Sequence, residues 1–163
     1  MGSLGVHFAI DHEVAGRLLA ADDDDEVAAL VEEIEEDVVG FDHCDTDKAW
    51  DAMHRSLTDG RLAYDNGAFP LNAVILGGRQ VYEGDDYIVS LLMPDQVRAA
   101  SGALAAVSRE RLHEGYLAID TADYGPEFGE EDFAYTWSNF ADVVAFFRRA
   151  AGNGKHVIFT VDQ

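Results

Sequence analysis

The sequence predicts an α+β fold: a single compact domain over residues 1–163, in which a small mixed sheet is packed by several helices. Runs of β-branched and aromatic residues typical of strands are few, the clearest being 3–10, 85–93 and 155–162. Helical periodicity fills much of the chain between them, and strands and helices do not alternate as in a βαβ protein. With 163 residues and 48% hydrophobic content, the chain can bury a core without a disulfide or a metal.

A strand and two helices are predicted to come first. The strand SLGVHFAI (3–10) is followed by Asp11, which can cap a helix over 12–21. Residues 22–38 are predicted to form a second helix, because their apolar side chains recur at helical spacing. These side chains are Val27, Leu30, Val31, Ile34 and Val38. Positions 22 to 37 also hold ten acidic residues and no basic one, so the outer surface of this helix is expected to be strongly negative.

The next segment is polar and leads into a third helix. FDHCDTD (41–47) is interpreted as a turn, because short polar residues satisfy turn and cap hydrogen bonds. DKAWDAMHRSLTDG (47–60) is predicted to be helical, capped by Asp45, Thr46 or Asp47.

Loops, a turn and a second strand are predicted after the third helix. Residues 61–70 are interpreted as loop. LNAVIL (71–76) runs into Gly77 and Gly78, whose flexibility suits a tight change of direction. DDYIVSLLM (85–93) has the composition of a strand.

Helices dominate the remainder of the chain. Proline suits the first position of a helix over 94–107, and 109–118 are predicted to form another. Ser138 or Asn139 can cap the longest helix, which precedes a buried or edge strand over 155–162.

One connection before that longest helix combines carboxylates with aromatic residues. DYGPEFGEEDFAYTW (123–137) contains five acidic residues beside Tyr124, Phe128, Phe133, Tyr135 and Trp137. Such a loop either binds a small cation, offers aromatic anchors to a partner, or is a long connection pinned to the core by its rings.

The net charge of −21 excludes some functions and suggests another. Nucleic acids and anionic membrane surfaces are disfavoured as partners, because their phosphates would be repelled. No apolar run is long enough to span a membrane, and the first residues lack the pattern of a signal peptide. A single cysteine, Cys44, favours a reducing cytoplasm. The acidity is either a composition-driven or salt-adapted surface, or a face shaped for a basic protein partner.

Three blocks of the chain resemble a known family. DKAWDAMHRSLT, FPLNAVILGG and YIVSLLMPDQV, with their spacing and the closing helix and strand, are similar to the YfbM-like family, a bacterial domain of unknown function. The chain departs from the family pattern at Met93, where a capping Thr or Ser is usual, and at Asp59, which is an extra residue before Gly60. The resemblance implies one compact α+β domain from the cytoplasm, and it brings no established activity, cofactor or catalytic residue.

The third helix carries the most specific candidate site. At 100° per residue, Trp50 lies on the apolar arc, His54 lies at its edge, and Asp47 and Asp51 lie just beyond it. In one interpretation, a carboxylate orients the His54 imidazole at a pocket rim and raises its basicity, as in general acid–base catalysis. In the other, Trp50 packs inward and His54 bridges core and solvent. Additional candidates for such a pocket are Gly77, Gly78 and Tyr87.

The sequence lacks the motifs of several other kinds of functional site. FDHCDTD lacks the paired cysteines and histidines of a zinc site and the Gly and Glu of an EF-hand loop, so no metal is predicted. No feature brings Cys44 and His54 together as a thiol–imidazole pair. There is no G-x-S-x-G elbow, phosphate-binding loop or dinucleotide fingerprint, so no cofactor is predicted.

Two functional hypotheses follow. The first is a non-catalytic cytoplasmic binding domain whose acidic face docks a basic protein. The second is a small enzyme or small-ligand-binding domain that uses His54, Asp47 and Asp51 near Trp50.

Overall fold

The computed structural model describes residues 3–37 and 39–163. Its strands are Gly5–Ile10 (β1), His43–Asp47 (β2), Arg79–Gln80 (β3), Tyr87–Leu92 (β4) and His156–Asp162 (β5). Its helices are His12–Ala20 (α1), Asp24–Glu36 (α2), Trp50–Leu57 (α3), Pro94–Ala105 (α4), Arg109–Leu117 (α5), Thr121–Tyr124 (α6) and Glu130–Gly152 (α7). One 3-10 turn, Leu71–Ala73, precedes β3. An antiparallel sheet packed by helices confirms the α+β class.

The strands form one sheet in the order β2-β1-β5-β4-β3, with β5 in the middle. Every strand pair in the described part of the chain is antiparallel, so the expectation of a mixed sheet is wrong. The reason lies in the connection between β4 and β5. Its helices return the chain to the end of the sheet where β4 finished, which places Val157 opposite Leu92.

Helices cover both faces of this sheet, because β5 presents apolar side chains to both. Val157, Phe159 and Val161 face the larger core, beneath α3, α4, α5 and α7. Ile158, on the other face, packs into the smaller core formed with α1 and α2. Both cores therefore share the central strand.

The acidic helix and its neighbour follow the sequence closely. Asp11 caps α1 by accepting a hydrogen bond from the Val14 amide at 2.9 Å. Asp23 caps α2 by accepting from the Glu26 amide at 3.0 Å. Three residues of the predicted apolar seam are buried: Val27, Val31 and Ile34. Val38, also assigned to that seam, lies outside the described residues.

The segment interpreted as a polar turn is the edge strand β2. Cys44 and Thr46 point inward, whereas His43, Asp45 and Asp47 are exposed, which is the period-2 pattern of a half-buried strand. Thr46 Oγ1 donates a hydrogen bond to the Gly5 carbonyl at 2.7 Å. The many acids obscured this short alternation, which depends on pairing with β1.

Because β2 extends to Asp47, the predicted caps of the third helix are wrong. The helix α3 begins at Trp50 after Ala49, and no side chain caps it. Asp47 instead adopts a positive φ of 50° at the corner between strand and helix, a conformation that Asp tolerates better than most residues.

The longest helix also begins earlier than predicted. It starts at Glu130, after Gly129, and not at Ser138 or Asn139. Its buried residues continue the helical spacing back toward the N-terminus of α7 through Thr136 and Phe133. The carboxylates of the first turn suit a helix N-terminus, because they offset its dipole.

The start of α4 has one half of a capping box, because Met93 has no hydroxyl group. The side chain of Gln96 reaches back and accepts a hydrogen bond from the Met93 amide at 2.8 Å. Pro94 occupies the first turn, as predicted. Gln96 therefore satisfies the amide of the cap residue, whereas the bond that a hydroxyl group at position 93 would accept from the first turn is not made.

The larger core contains a fully buried histidine, His7. Its Nε2–H donates to the Val74 carbonyl at 2.8 Å, and its ring packs against Phe146, Phe147 and Phe159. Burial lowers the pKa of His7 from 6.5 to about 4, although the hydrogen bond to Val74 acts in the opposite direction. The imidazole is therefore neutral in the folded protein at neutral pH.

We expect His7 to make the fold acid-sensitive. Because its folded pKa lies below its unfolded pKa, its contribution is complete above pH 6.5 and is lost as the pH falls toward 4. Between pH 7 and pH 5 this loss is about 2 kcal/mol of unfolding free energy. In His7→Gln, which keeps a donor but does not titrate in this range, urea denaturation should show a pH dependence shallower by that amount.

The matched control is His43→Gln, in which an exposed histidine is replaced. It should retain the pH dependence of the unsubstituted protein. Equal pH dependence in His7→Gln and the unsubstituted protein would contradict the assignment.

Candidate functional site

The helix α3 fixes Trp50 over the end of the central sheet. The indole is only 6% exposed, lies 6.0 Å from the Phe159 ring, and donates through Nε1 to the Ser3 carbonyl at 2.9 Å. Gly5 makes this close packing possible, because a Cβ there would lie 2.8 Å from Trp50 Cδ1 and 2.7 Å from Phe159 Cζ. The predicted inward packing of Trp50 therefore agrees with the structure.

A cavity of about 530 Å³ opens beside Trp50. It lies among the chain preceding β1, the start of α3, the end of α6 and the first turns of α7. Its lining residues are Ser3, Lys48, Trp50, Asp51, Tyr124, Glu127, Asp132 and Tyr135. Ligand pockets commonly measure about 300–1,000 Å³, so the space suits a small molecule.

Two tyrosines converge on Asp132 in this cavity. Tyr116 donates to Asp132 Oδ2 at 2.7 Å, and Tyr124 donates to the same oxygen at 2.6 Å. Burial, followed by the bond to Asp132, raises the pKa of both phenols, so they remain protonated donors at neutral pH. The carboxylate is thereby held in one orientation by residues from α5 and α6.

A second tyrosine–carboxylate pair stands at the rim. Tyr135 donates to Asp47 at 2.5 Å, while its oxygen accepts from the Lys48 amide at 3.2 Å. Burial, followed by the bond to Asp47, raises the pKa of Tyr135. These contacts join α7 to the corner between β2 and α3. The Asp47 carboxylate therefore accepts its hydrogen bond from a phenol and not from His54.

Arg55 organises the wall of the cavity that α3 and α6 share. Its side chain is 3% exposed, and it pairs with Asp51 at 2.6 Å and with Asp123 at 2.9 Å. Its guanidinium also lies 5.5 Å from the centroid of the Tyr124 ring, within the range of a cation–π contact. Sequence reasoning missed Arg55. Its spacing of four residues from Asp51 was a signal for the first pair.

His54 belongs to a different network. It is 1% exposed, and its Nε2–H donates to Asn66 Oδ1 at 2.9 Å. The two N–H groups of the Asn66 side chain are shared among three acceptors: Thr58 Oγ1, Asp59 Oδ1 and the carbonyl of Arg61. Burial lowers the pKa of His54 despite the bond to Asn66, so the ring is neutral at pH 7. These contacts tie the end of α3 to the following loop.

The structure therefore separates the residues of the predicted Asp–His pair. Asp51 lines the cavity but bonds Arg55, Asp47 bonds Tyr135, and His54 bonds Asn66 behind the cavity wall. Burial raises the pKa of Asp51, opposed by the bond to Arg55. Among the described residues, no hydrogen bond joins His54 to either carboxylate.

The additional candidates lie away from the cavity. Gly77 closes a turn through a hydrogen bond from its amide to the Asn72 carbonyl at 2.9 Å. Gly78 packs on the sheet, where a Cβ would lie 2.8 Å from the Leu91 carbonyl oxygen. Tyr87 donates to Glu35 at 2.8 Å and packs with the smaller core on the opposite face of the sheet.

The remaining candidate chemistries can be assessed from burial and geometry. Cys44 is buried, and desolvation raises the pKa of its thiol to about 11, so little thiolate is available at neutral pH. Within residues 3–37 and 39–163, no three His, Cys, Asp or Glu side chains are grouped to hold a metal ion. In the same residues, no helix combines the length and apolarity needed to cross a membrane.

Comparisons with known proteins place the whole fold in one family. The family described as "Domain of unknown function (DUF1877)" matches residues 1–160. Protein YfbM of Escherichia coli (strain K12) is 25% identical over 170 residues, covering 99% of each chain. The crystal structure of YfbM from Escherichia coli, a protein of unknown function, aligns with a TM-score of 0.70 at 23% identity. That alignment covers 97% of this chain and 99% of the other. The matches confirm the resemblance found in the sequence blocks.

We expect Arg55→Met to destabilise the fold by about 3 kcal/mol, because removing one partner strands the largely buried Asp51 carboxylate. The measurement is the free energy of unfolding in urea. The control is Arg61→Met, since Arg61 and its partner Asp59 are both well exposed. This variant should leave the denaturation midpoint nearly unchanged. Similar losses in the two variants would show that the Arg55 pairs do not anchor α3 to α6.

Proposed function

This chain belongs to the DUF1877 family of YfbM-like proteins, and we propose that it is a non-catalytic binding domain that docks a basic protein segment on an acidic face. The acidic face consists of the exposed carboxylates of α2: Asp25, Glu26, Glu32, Glu33, Glu35 and Glu36. We place the protein in the cytoplasm, where its one buried cysteine would remain reduced.

The observation that carries the proposal is the low neutralisation of this face. In the described part of the chain, one ion pair reaches it, between Arg17 and Glu33 at 3.5 Å, and both side chains are more than half exposed. Such a pair is strongly screened by solvent. The remaining carboxylates lie on the exposed surface of α2, away from the buried Val27, Val31 and Ile34, except that Glu35 flanks this seam and accepts a hydrogen bond from Tyr87.

Asp25 and Glu26 lie in the first turn and offset the helix dipole, but the carboxylates further along α2 do not help the helix to fold. Glu32 and Glu36 are like charges four residues apart, which weakens a helix slightly. The last turn of α2 has no basic residue, so its carboxylates oppose the helix dipole. The carboxylates in the second half of this face cost stability and are little neutralised by cations of the fold, so they are well suited to external cations. A Lys- and Arg-rich protein segment matches it in charge.

A small-ligand function is the second candidate, and the cavity beside Trp50 is the observation that favours it. The catalytic version of this hypothesis has less support, because His54, Asp47 and Asp51 each bond a different partner. A binding role needs no such dyad. The two candidates use opposite faces of the sheet and can be tested separately.

We expect a synthetic peptide of alternating Lys and Ala to bind the protein with an affinity that falls steeply as salt increases. A triple variant on α2, Glu32→Gln, Glu33→Gln and Glu36→Gln, should bind about tenfold more weakly at low salt, since three exposed pairs of ~0.5 kcal/mol each add to roughly that factor. Fluorescence anisotropy of the labelled peptide measures both effects.

The control removes the same charge elsewhere, through Glu110→Gln, Glu114→Gln and Glu131→Gln, which are exposed on α5 and α7. It should change the affinity less than about twofold, since only long-range screened terms are altered. Equal losses in the two triple variants would favour a diffuse, salt-adapted surface over a docking face.

A further inference from the structure

We propose that the cavity beside Trp50 binds a small organic ammonium ion, with Asp132 as its anchoring carboxylate. This inference goes beyond the docking of a basic protein, because the cavity lies on the α3 and α7 side of the sheet and the acidic face lies on the other. A volume of about 530 Å³ accommodates an amine with a short apolar body.

Asp132 has the properties of a preorganised anion. Tyr116 and Tyr124 both donate to its Oδ2 oxygen, so its orientation is set by two other helices. No described residue donates a hydrogen bond to Oδ1, and none forms an ion pair with this carboxylate. The protein thus fixes a negative group at a cavity wall and leaves part of its hydrogen-bonding capacity for a cationic donor.

Aromatic rings supply a second element that favours ammonium. Trp50, Tyr124 and Tyr135 line the same space, and ring faces attract organic cations. The hydroxyl protons of both tyrosines are directed at carboxylates, which increases the electron density of their rings. Within the fold, the Arg55 guanidinium already makes a cation–π contact with the Tyr124 ring.

The same lining disfavours other ligands. An anion would meet the carboxylates of Glu127 and Asp132 and that of Asp51, which Arg55 neutralises, and Lys48 is the one cation among the lining residues. A divalent metal needs several clustered oxygen donors, and the described residues hold no such group. An ammonium group attached to an apolar body satisfies both the carboxylate and the rings. Because the Lys48 ammonium can pair with an anion, that body can also carry a carboxylate, as in an amino acid.

Two indole signals make the test direct. The chain has two tryptophans: Trp50 lines the cavity, whereas Trp137 stacks on Phe140 and is absent from the lining. In ¹H–¹⁵N spectra, assigned with Trp137→Phe, titration with n-butylammonium, phenethylammonium or phenylalanine should shift the Trp50 indole saturably. The Trp137 signal should stay in place. The neutral isosteres n-butanol and 2-phenylethanol should have little effect.

Phenylalanine, which carries both an ammonium and a carboxylate group, distinguishes an amino acid ligand from a simple amine. Tighter binding of phenylalanine than of phenethylammonium, abolished by Lys48→Gln, identifies a zwitterionic ligand. The reverse order identifies a simple amine. Both outcomes retain the ammonium contact with Asp132.

Charge variants test the anchor. Asp132→Asn should weaken the binding of phenethylammonium about tenfold, since a charge-assisted hydrogen bond becomes a neutral one. Glu127→Gln, an exposed lining residue whose replacement does not disturb the tyrosines, should weaken it about threefold. Glu36→Gln on α2 is the matched control and should have no effect.

Three results would overturn the proposal. The first is the absence of saturable binding by any of the three ammonium compounds. The second is equal binding of the neutral isosteres. The third is an equal loss of affinity in Glu36→Gln and Glu127→Gln, since that loss would reflect only the overall charge. None of these results bears on the acidic face of α2, which the peptide experiment tests independently.

Discussion

The central position of β5 is the constraint on which the rest of the structure depends. This strand pairs with β1 on one side and with β4 on the other, and its side chains enter both cores. Parts of the chain that are far apart in sequence are thereby joined in one sheet. Phe159 extends this role to the cavity, because Trp50 rests against its ring.

The cavity wall depends on polar contacts between elements that also pack together in the larger core, as Tyr116 does with Phe133 at 5.3 Å. Arg55 links α3 to α6, Asp132 links α5 and α6 to α7, and Tyr135 links α7 to the corner after β2. Each contact joins a carboxylate to a donor from another element. The positions of the lining residues are therefore coupled, and the site is built by the tertiary structure more than by any one motif.

Much of the framework could be predicted from local sequence. The Asp11 cap, the buried seam of α2, the strand β4 and Pro94 at the start of α4 are set by residues close in the chain. The strand β2 could not be recognised in the same way. Its pairing partner lies in β1, and its own exposed residues are His43, Asp45 and Asp47, polar residues that usually indicate a turn.

The candidate site was predictable only in part. Trp50 and Asp51 do line a cavity, and 123–137 does bring carboxylates and rings together. The partners of those carboxylates could not be inferred, because Asp132 meets Tyr116 and Asp51 shares Arg55 with Asp123 only after α5, α6 and α7 have packed. Proximity along one helix suggested that His54 pairs with Asp47 or Asp51. The structure shows that its hydrogen bond is to Asn66, in the loop after α3.

The order of the strands also has a consequence for biosynthesis. Ile10 pairs with His156, so a ribosome translating ~5–20 residues per second makes β1 about ten seconds before β5, its neighbour on one side, exists. Until then, β1 and β4 each present an unpaired backbone edge, which is a template for intermolecular association. The nascent polypeptide must therefore keep these edges apart from other chains until its last strand emerges and inserts between them.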